Sequence, residues 1–150
     1  MDYTYSLCNK CHKLNRAVLQ SDPSHKPVCG NCKSQLPLHG VVNDIDASGL
    51  KELVEKSPLP VVADFWAPWC RPCLAFEPSF TEASKDFLGH VIFAKVDTQK
   101  NPLAGEVFRI RGVPTLILFQ DGAERDRQSG AMPLDVFREW VQSHLRSAAA

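Results

Sequence analysis

Two nearly unbroken apolar runs, Val61 to Trp66 and Val91 to Asp97, stand out along the chain as strands covered on both faces. Thr115 to Phe119 adds a third. It runs into Asp121-Gly122, a favoured two-residue hairpin turn, and then into a more polar strand from Ala123 to Ser129. Helical spacing appears between these runs. Leu50, Leu53 and Val54 share one face of a segment at 48–55 that Pro58 and Pro60 stop, and Phe76, Phe80, Ala83 and Phe87 mark a helix opened by Pro72. Pro78 falls inside that second helix and predicts a kink. A short strand at Val41-Val42, a short helix over 101–108 and a last helix from about Pro133, with Leu134, Phe137, Val141 and Leu145 inward, complete the pattern. Strands alternating with helices and closing on a hairpin and a helix predict an α/β fold, a central mixed sheet with helices on both faces.

Residues 1–38 follow no such plan. Cys8 and Cys11 are separated by seventeen residues from Cys29 and Cys32, within the spacing of a four-cysteine zinc site. Each CxxC forms a tight turn that aims two sulfurs at one point, and two turns complete a tetrahedron. We therefore expect a small zinc-ribbon-like module at 1–38, holding one structural zinc with no open coordination position. Iron in the same sulfurs, or two local disulfides, are the alternatives. A short strand near residues 15–19 and a loop at 21–25 would lie between the pairs, with His12, His25 and His39 at the surface rather than among the ligands. The segment has too few large apolar residues to hold a fold without its metal. Gln35 to Gly40 carries the proline and glycine of a linker, so a second domain spans 39–150.

The third cysteine pair, Cys70-Arg71-Pro72-Cys73, ends the first apolar run where a strand gives way to a helix. Unpaired N–H groups and the helix dipole favour a thiolate there, which makes Cys70 the candidate nucleophile and Cys73 the resolving thiol of a redox-active disulfide. A structural thiol pair or half a metal site is the alternative. Asp64 interrupts the same strand six residues earlier, where desolvation raises a carboxyl and suits it to accept a proton. Together with Trp66, Pro78, Lys95, Gly112-Val113-Pro114-Thr115, Asp121-Gly122 and Gly130, these residues resemble the thioredoxin family over about residues 41 to 146. The whole chain, cysteine-rich front included, resembles that family's zinc-carrying bacterial members, the thioredoxin 2 proteins.

The resemblance implies that Asp64 takes the Cys73 proton, that Lys95 on the neighbouring strand tunes it, and that Pro114 is cis. It further implies a substrate platform of Trp69, Val113, Pro114, Gly130 and Ala131, protein disulfides as substrates, and resetting by an NADPH-dependent thioredoxin reductase. Arg71 departs from the family pattern, which usually has glycine there. Its cation favours the Cys70 thiolate and so the reduced state.

Composition narrows the setting. The formal net charge is zero, with no long basic block to bind nucleic acid. Residues 1–38 hold five Lys/Arg and two Asp/Glu, a sum of +3, so the remainder carries −3. No apolar run reaches membrane-spanning length and the start lacks a charged-then-apolar leader, which leads us to expect a cytoplasmic, reducing location. Six cysteines in that compartment suit metal binding and redox chemistry better than a disulfide framework. Other functions consistent with the sequence are a zinc-ribbon adaptor that docks a partner, and a redox sensor in which oxidation ejects the metal.

Overall fold

A computed structural model describes residues 3–19 and 26–149; the expected loop at 21–25, with His25, lies outside the described residues. The front of the chain is an antiparallel pair, β1 (Tyr3–Leu7) and β2 (Leu14–Val18), registered from Tyr3 opposite Val18 to Leu7 opposite Leu14. A six-stranded mixed sheet follows: β3 (Leu38–His39), β4 (Val42–Asp44), β5 (Val61–Trp66), β6 (Ile92–Asp97), β7 (Thr115–Gln120) and β8 (Ala123–Ser129). Their spatial order is β3-β4-β6-β5-β7-β8, with β5 parallel to β6 and antiparallel to β7. Helices α1 (Ala47–Lys56), α2 (Arg71–Asp86) and α3 (Leu103–Val107) connect the strands, and α4 (Leu134–Ala149) follows β8.

The two runs read as doubly covered strands are the two central ones, β5 and β6, and alternate residues of each enter opposite cores. Val61, Ala63 and Phe65 join Leu50 and Leu53 of α1 on one face; Val62 joins Phe76 and Phe80 of α2 and Phe137 of α4 on the other. Four aromatic rings, Phe76, Phe80, Phe93 and Phe137, meet there with centroids 5.1 to 6.1 Å apart. Pro78 is accommodated inside α2, which runs through it without leaving the helical state.

β1 and β3 had no signal in the sequence pattern. In β1 the buried side chains include Thr4 and Ser6, while Tyr3 and Tyr5 are only half-buried, so hydrophobic alternation points the wrong way. The pair is docked, not dangling. Leu7 is buried among Leu50 and Ile45 in the core under α1, with Tyr5 and Leu14 packed beside it. Asn43 of β4 donates to the Tyr5 carbonyl at 3.0 Å, Lys56 of α1 donates to the His12 carbonyl at 2.9 Å, and His12 pairs with Glu52. Among the described residues no helix is long and apolar enough to cross a membrane.

Candidate active site and metal centre

β5 delivers its chain end to the edge of the fold, and Ala67 to Cys70 turn it into α2. Cys70 caps the helix: its sulfur accepts the Cys73 backbone N–H at 3.2 Å, and Arg71 and Pro72 occupy the first turn. That bond satisfies one of the donors a helix start leaves open, and it places the sulfur at the positive end of the dipole. Cys70 and Cys73 are joined by a disulfide. Both are nearly buried, packed with Ala67, Trp66 and Val113, whereas Trp69 is 70% exposed and Arg71 is exposed beside them.

The Val113–Pro114 peptide is cis, as the resemblance implies, and the Val113 carbonyl lies 3.7 Å from the Cys70 sulfur. Gly130, with a φ of 95° that favours glycine, donates its N–H to the Pro114 carbonyl at 2.8 Å. This bond ties the end of β8 to the loop facing the disulfide. Val113 packs on the sulfurs, Gly130 is tied to the same loop through Pro114, and Trp69 and Ala131 are exposed, Trp69 next to Cys70 in sequence and Ala131 next to Gly130.

Asp64 is 1% exposed, and among the described residues its Oδ1 accepts no hydrogen bond. Burial pushes its carboxyl up to about 7; Lys95 opposes the shift and Glu77 adds to it. Lys95 stands opposite Asp64 in the β5–β6 register. Its ammonium is nevertheless committed elsewhere, 2.9 Å from Glu77 and 4.5 Å above the Trp66 ring. Glu77 is not among the candidate residues that the sequence marks. Its signal was its place four residues after Cys73, one helical turn along the same face of α2.

Cys8, Cys11, Cys29 and Cys32 converge, with all four sulfurs within 4.8 Å of one another and no S–S bond among them. The two turns are built alike. His12 and Lys33, each four residues after a first cysteine, take positive φ of 60° and 67° and donate back to the Cys8 and Cys29 carbonyls at 3.0 Å. In each turn the next residue but one also points its N–H at the first sulfur, Lys10 to Cys8 and Asn31 to Cys29, both at 3.4 Å. The Cys29 thiol is held down to about 6, first by the backbone N–H of Cys32 and further by Asn15 and Asn31. Asn15, unmarked in the sequence reading, accepts from Gly30 at 2.9 Å and donates to the Cys29 sulfur at 3.5 Å. The four sulfurs could hold a metal ion, and His12 and His39 are not among them.

Comparison with known proteins agrees with this geometry. A family model described as Thioredoxin matches residues 41–143. Thioredoxin C-3 of Corynebacterium nephridii is 33% identical over 141 residues, covering 93% of this chain and 94% of the relative. A match of that length takes in part of the cysteine-rich front as well. Thioredoxin 1 of Synechococcus elongatus is 38% identical over 100 residues, 67% of this chain and 92% of its own. A thioredoxin of Rickettsia felis is 33% identical over 105 residues, 70% of this chain and 100% of its own. With its dithiol capping α2 and a cis-proline loop against the sulfur, the chain belongs to the thioredoxin family and is a thiol-disulfide oxidoreductase.

Proposed function

We propose that this oxidoreductase works as a protein-disulfide reductase through Cys70 and Cys73, carrying a structural zinc in an N-terminal module at 1–38 ahead of a redox domain at 39–150. The observation that carries the reading is the cap: a sulfur that accepts a helix N-terminal N–H at 3.2 Å is stabilised as thiolate once the disulfide is reduced. Cys70 attacks one sulfur of a substrate disulfide, that S–S bond breaks, and the departing thiolate takes a proton. Cys73 then passes its proton to Asp64 and attacks the Cys70 sulfur. The internal disulfide forms, the second substrate thiolate leaves, and two electrons have moved to the substrate.

Each remaining part has a role in this cycle. Burial keeps Asp64 a competent base near neutral pH, and Lys95 sets how strongly it holds its proton. Trp69, Val113, Pro114, Gly130 and Ala131 receive an extended polypeptide, with backbone groups of the 113–114 loop giving strand-like bonds that do not read sequence. Arg71 adds a cation beside the thiolate. An NADPH-dependent thioredoxin reductase resets the pair, and neither nucleic acid nor membrane takes part.

The fourfold sulfur set fits zinc. Four sulfurs about 2.3 Å from one Zn²⁺ stand about 3.8 Å apart, and the Cys8–Cys32 and Cys11–Cys29 pairs already stand at 3.5 and 3.6 Å. The metal would cross-link the two turns and supply no chemistry to the dithiol.

A reductase-coupled assay tests the reading. With NADPH, thioredoxin reductase and a disulfide-containing protein, the chain is expected to sustain NADPH oxidation in proportion to its concentration. No oxidation above the reductase alone would refute recycling by that route.

A further inference from the structure

A cavity of about 570 Å³ lies between the end of α3, the 109–112 loop and β8, and it borders the loop that faces the disulfide. Arg109, Arg111, Thr115, Glu124, Arg127 and Ser129 are among its walls. One wall is already internally satisfied. Arg127 grips Glu124 with bonds of 2.7 and 2.6 Å and also donates to the carbonyls of Arg109 and Phe108 at 3.2 and 2.9 Å. That network fixes the backbone of the opposite wall, where Arg109 adopts a φ of 56°.

Arg109 and Arg111 are both exposed, and among the described residues no carboxylate stands at ion-pair distance from either guanidinium, although the Glu124 charge on the same cavity attracts Arg109 from further off. Ser129 lines the same cavity. Three arginines less one glutamate give these walls a charge of +2, in a domain whose residues 39–150 sum to −3. An excess of that sign beside the sulfur-facing loop runs against the composition around it.

We infer that this cavity is an anion subsite that receives an Asp or Glu side chain of the substrate polypeptide, close in sequence to the disulfide being reduced. The inference rests on the protein-disulfide reading above and adds selectivity to it. Two guanidiniums and a hydroxyl match a carboxylate, which accepts several hydrogen bonds and binds arginine bidentately. Arg111 is two residues from Val113, and extended chains advance about 3.3 Å per residue. An acidic side chain about two to four residues from the substrate cysteine, about 7 to 13 Å along an extended chain, is the one placed to enter it. Rim charges of this kind act chiefly on encounter and are screened by salt.

The test uses the full chain and three disulfide peptides identical except for Glu, Gln or Lys at the positions two to four residues from the cysteine. At low salt we expect kcat/KM for the Glu peptide to exceed that for Gln by about threefold to tenfold, with Lys lowest. The preference should shrink in high salt and vanish in the double variant Arg109→Gln/Arg111→Gln, whose rate on the Gln peptide stays that of the unmodified protein. Affinities of the same peptides with serine for cysteine, which need no chemistry, are measured alongside. Equal rates and equal affinities for Glu and Gln peptides, or a Glu preference that survives the double variant, would overturn the subsite. Turnover on none of the peptides with the Glu preference kept in the serine series would support the subsite and refute the reductase reading instead.

Discussion

Asp64→Asn is expected to stabilise the oxidised protein at pH 8 by about 2 to 4 kcal/mol while slowing the second half of its catalytic cycle. The stability effect follows from linkage. In the unfolded chain this carboxyl ionises near the ordinary 3.8, whereas burial holds it up at about 7 in the fold. Between those values the native state keeps a proton that the unfolded state has lost, so stability falls as pH rises from about 4 to 7 and levels off above. Asparagine carries no such penalty. Thermal melts of the two proteins should converge near pH 4 and separate by several degrees at pH 8. A gap that does not change with pH would show that the carboxyl ionises normally. The kinetic effect should be selective: rapid mixing should show resolution of the mixed disulfide slowed more than the first attack. Equal slowing of both steps would remove Asp64 from proton transfer with Cys73.

If zinc holds the four sulfurs as proposed, removing it should unfold the front of the chain and weaken what remains. The only buried apolar side chains of β1 and β2 are Leu7 and Ala17, beside the small polar Thr4 and Ser6, so without a cross-link between Cys8, Cys11, Cys29 and Cys32 their turns have little to hold them. The loss reaches further because Leu7, 1% exposed, sits in the core under α1 with Tyr5 and Leu14 against it. Withdrawing a buried leucine and its neighbours costs about 2 to 4 kcal/mol. A chain beginning at Gly40 should therefore bind no zinc, remain folded, and melt about 10 °C below the intact zinc-loaded protein. Intact reduced protein should hold about one zinc per chain, and Cys29→Ser should lose it. Zinc retained in stoichiometric amount by the shortened chain would show that the ligands are elsewhere. An unchanged melting temperature would show that the module gives the redox domain no support.

Much of this was legible in the sequence where one physical signal dominated. β5 and β6 are central strands buried on both sides, and nothing in Val61 to Trp66 except Asp64 competes with that reading. The cap on α2 was legible because Pro72 suits the first turn and leaves Cys70 just outside it. β1 was illegible because its buried face carries Thr4 and Ser6, small hydroxyl residues that periodicity assigns to solvent. One of its half-buried tyrosines instead lies under the Arg16 guanidinium, 4.1 Å from the ring centroid of Tyr3. Lys95 was expected to act on Asp64 from the adjacent strand, and the register places it there. Its ion pair with Glu77 depends on how α2 lies across the sheet, which spacing along the chain does not encode. The Arg109–Arg111 cavity was hidden for a similar reason, since it forms only when β8 closes against the 109–112 loop.

The central claim is that Cys70 attacks and Cys73 resolves. It is tested most directly by trapping the intermediate with a disulfide-containing protein substrate and mapping the linkage by mass spectrometry. Cys73→Ser should accumulate a covalent mixed disulfide through Cys70, and Cys70→Ser should accumulate none. Adducts through Cys73 in Cys70→Ser at a yield equal to those through Cys70, or no adduct with either variant, would contradict the assignment.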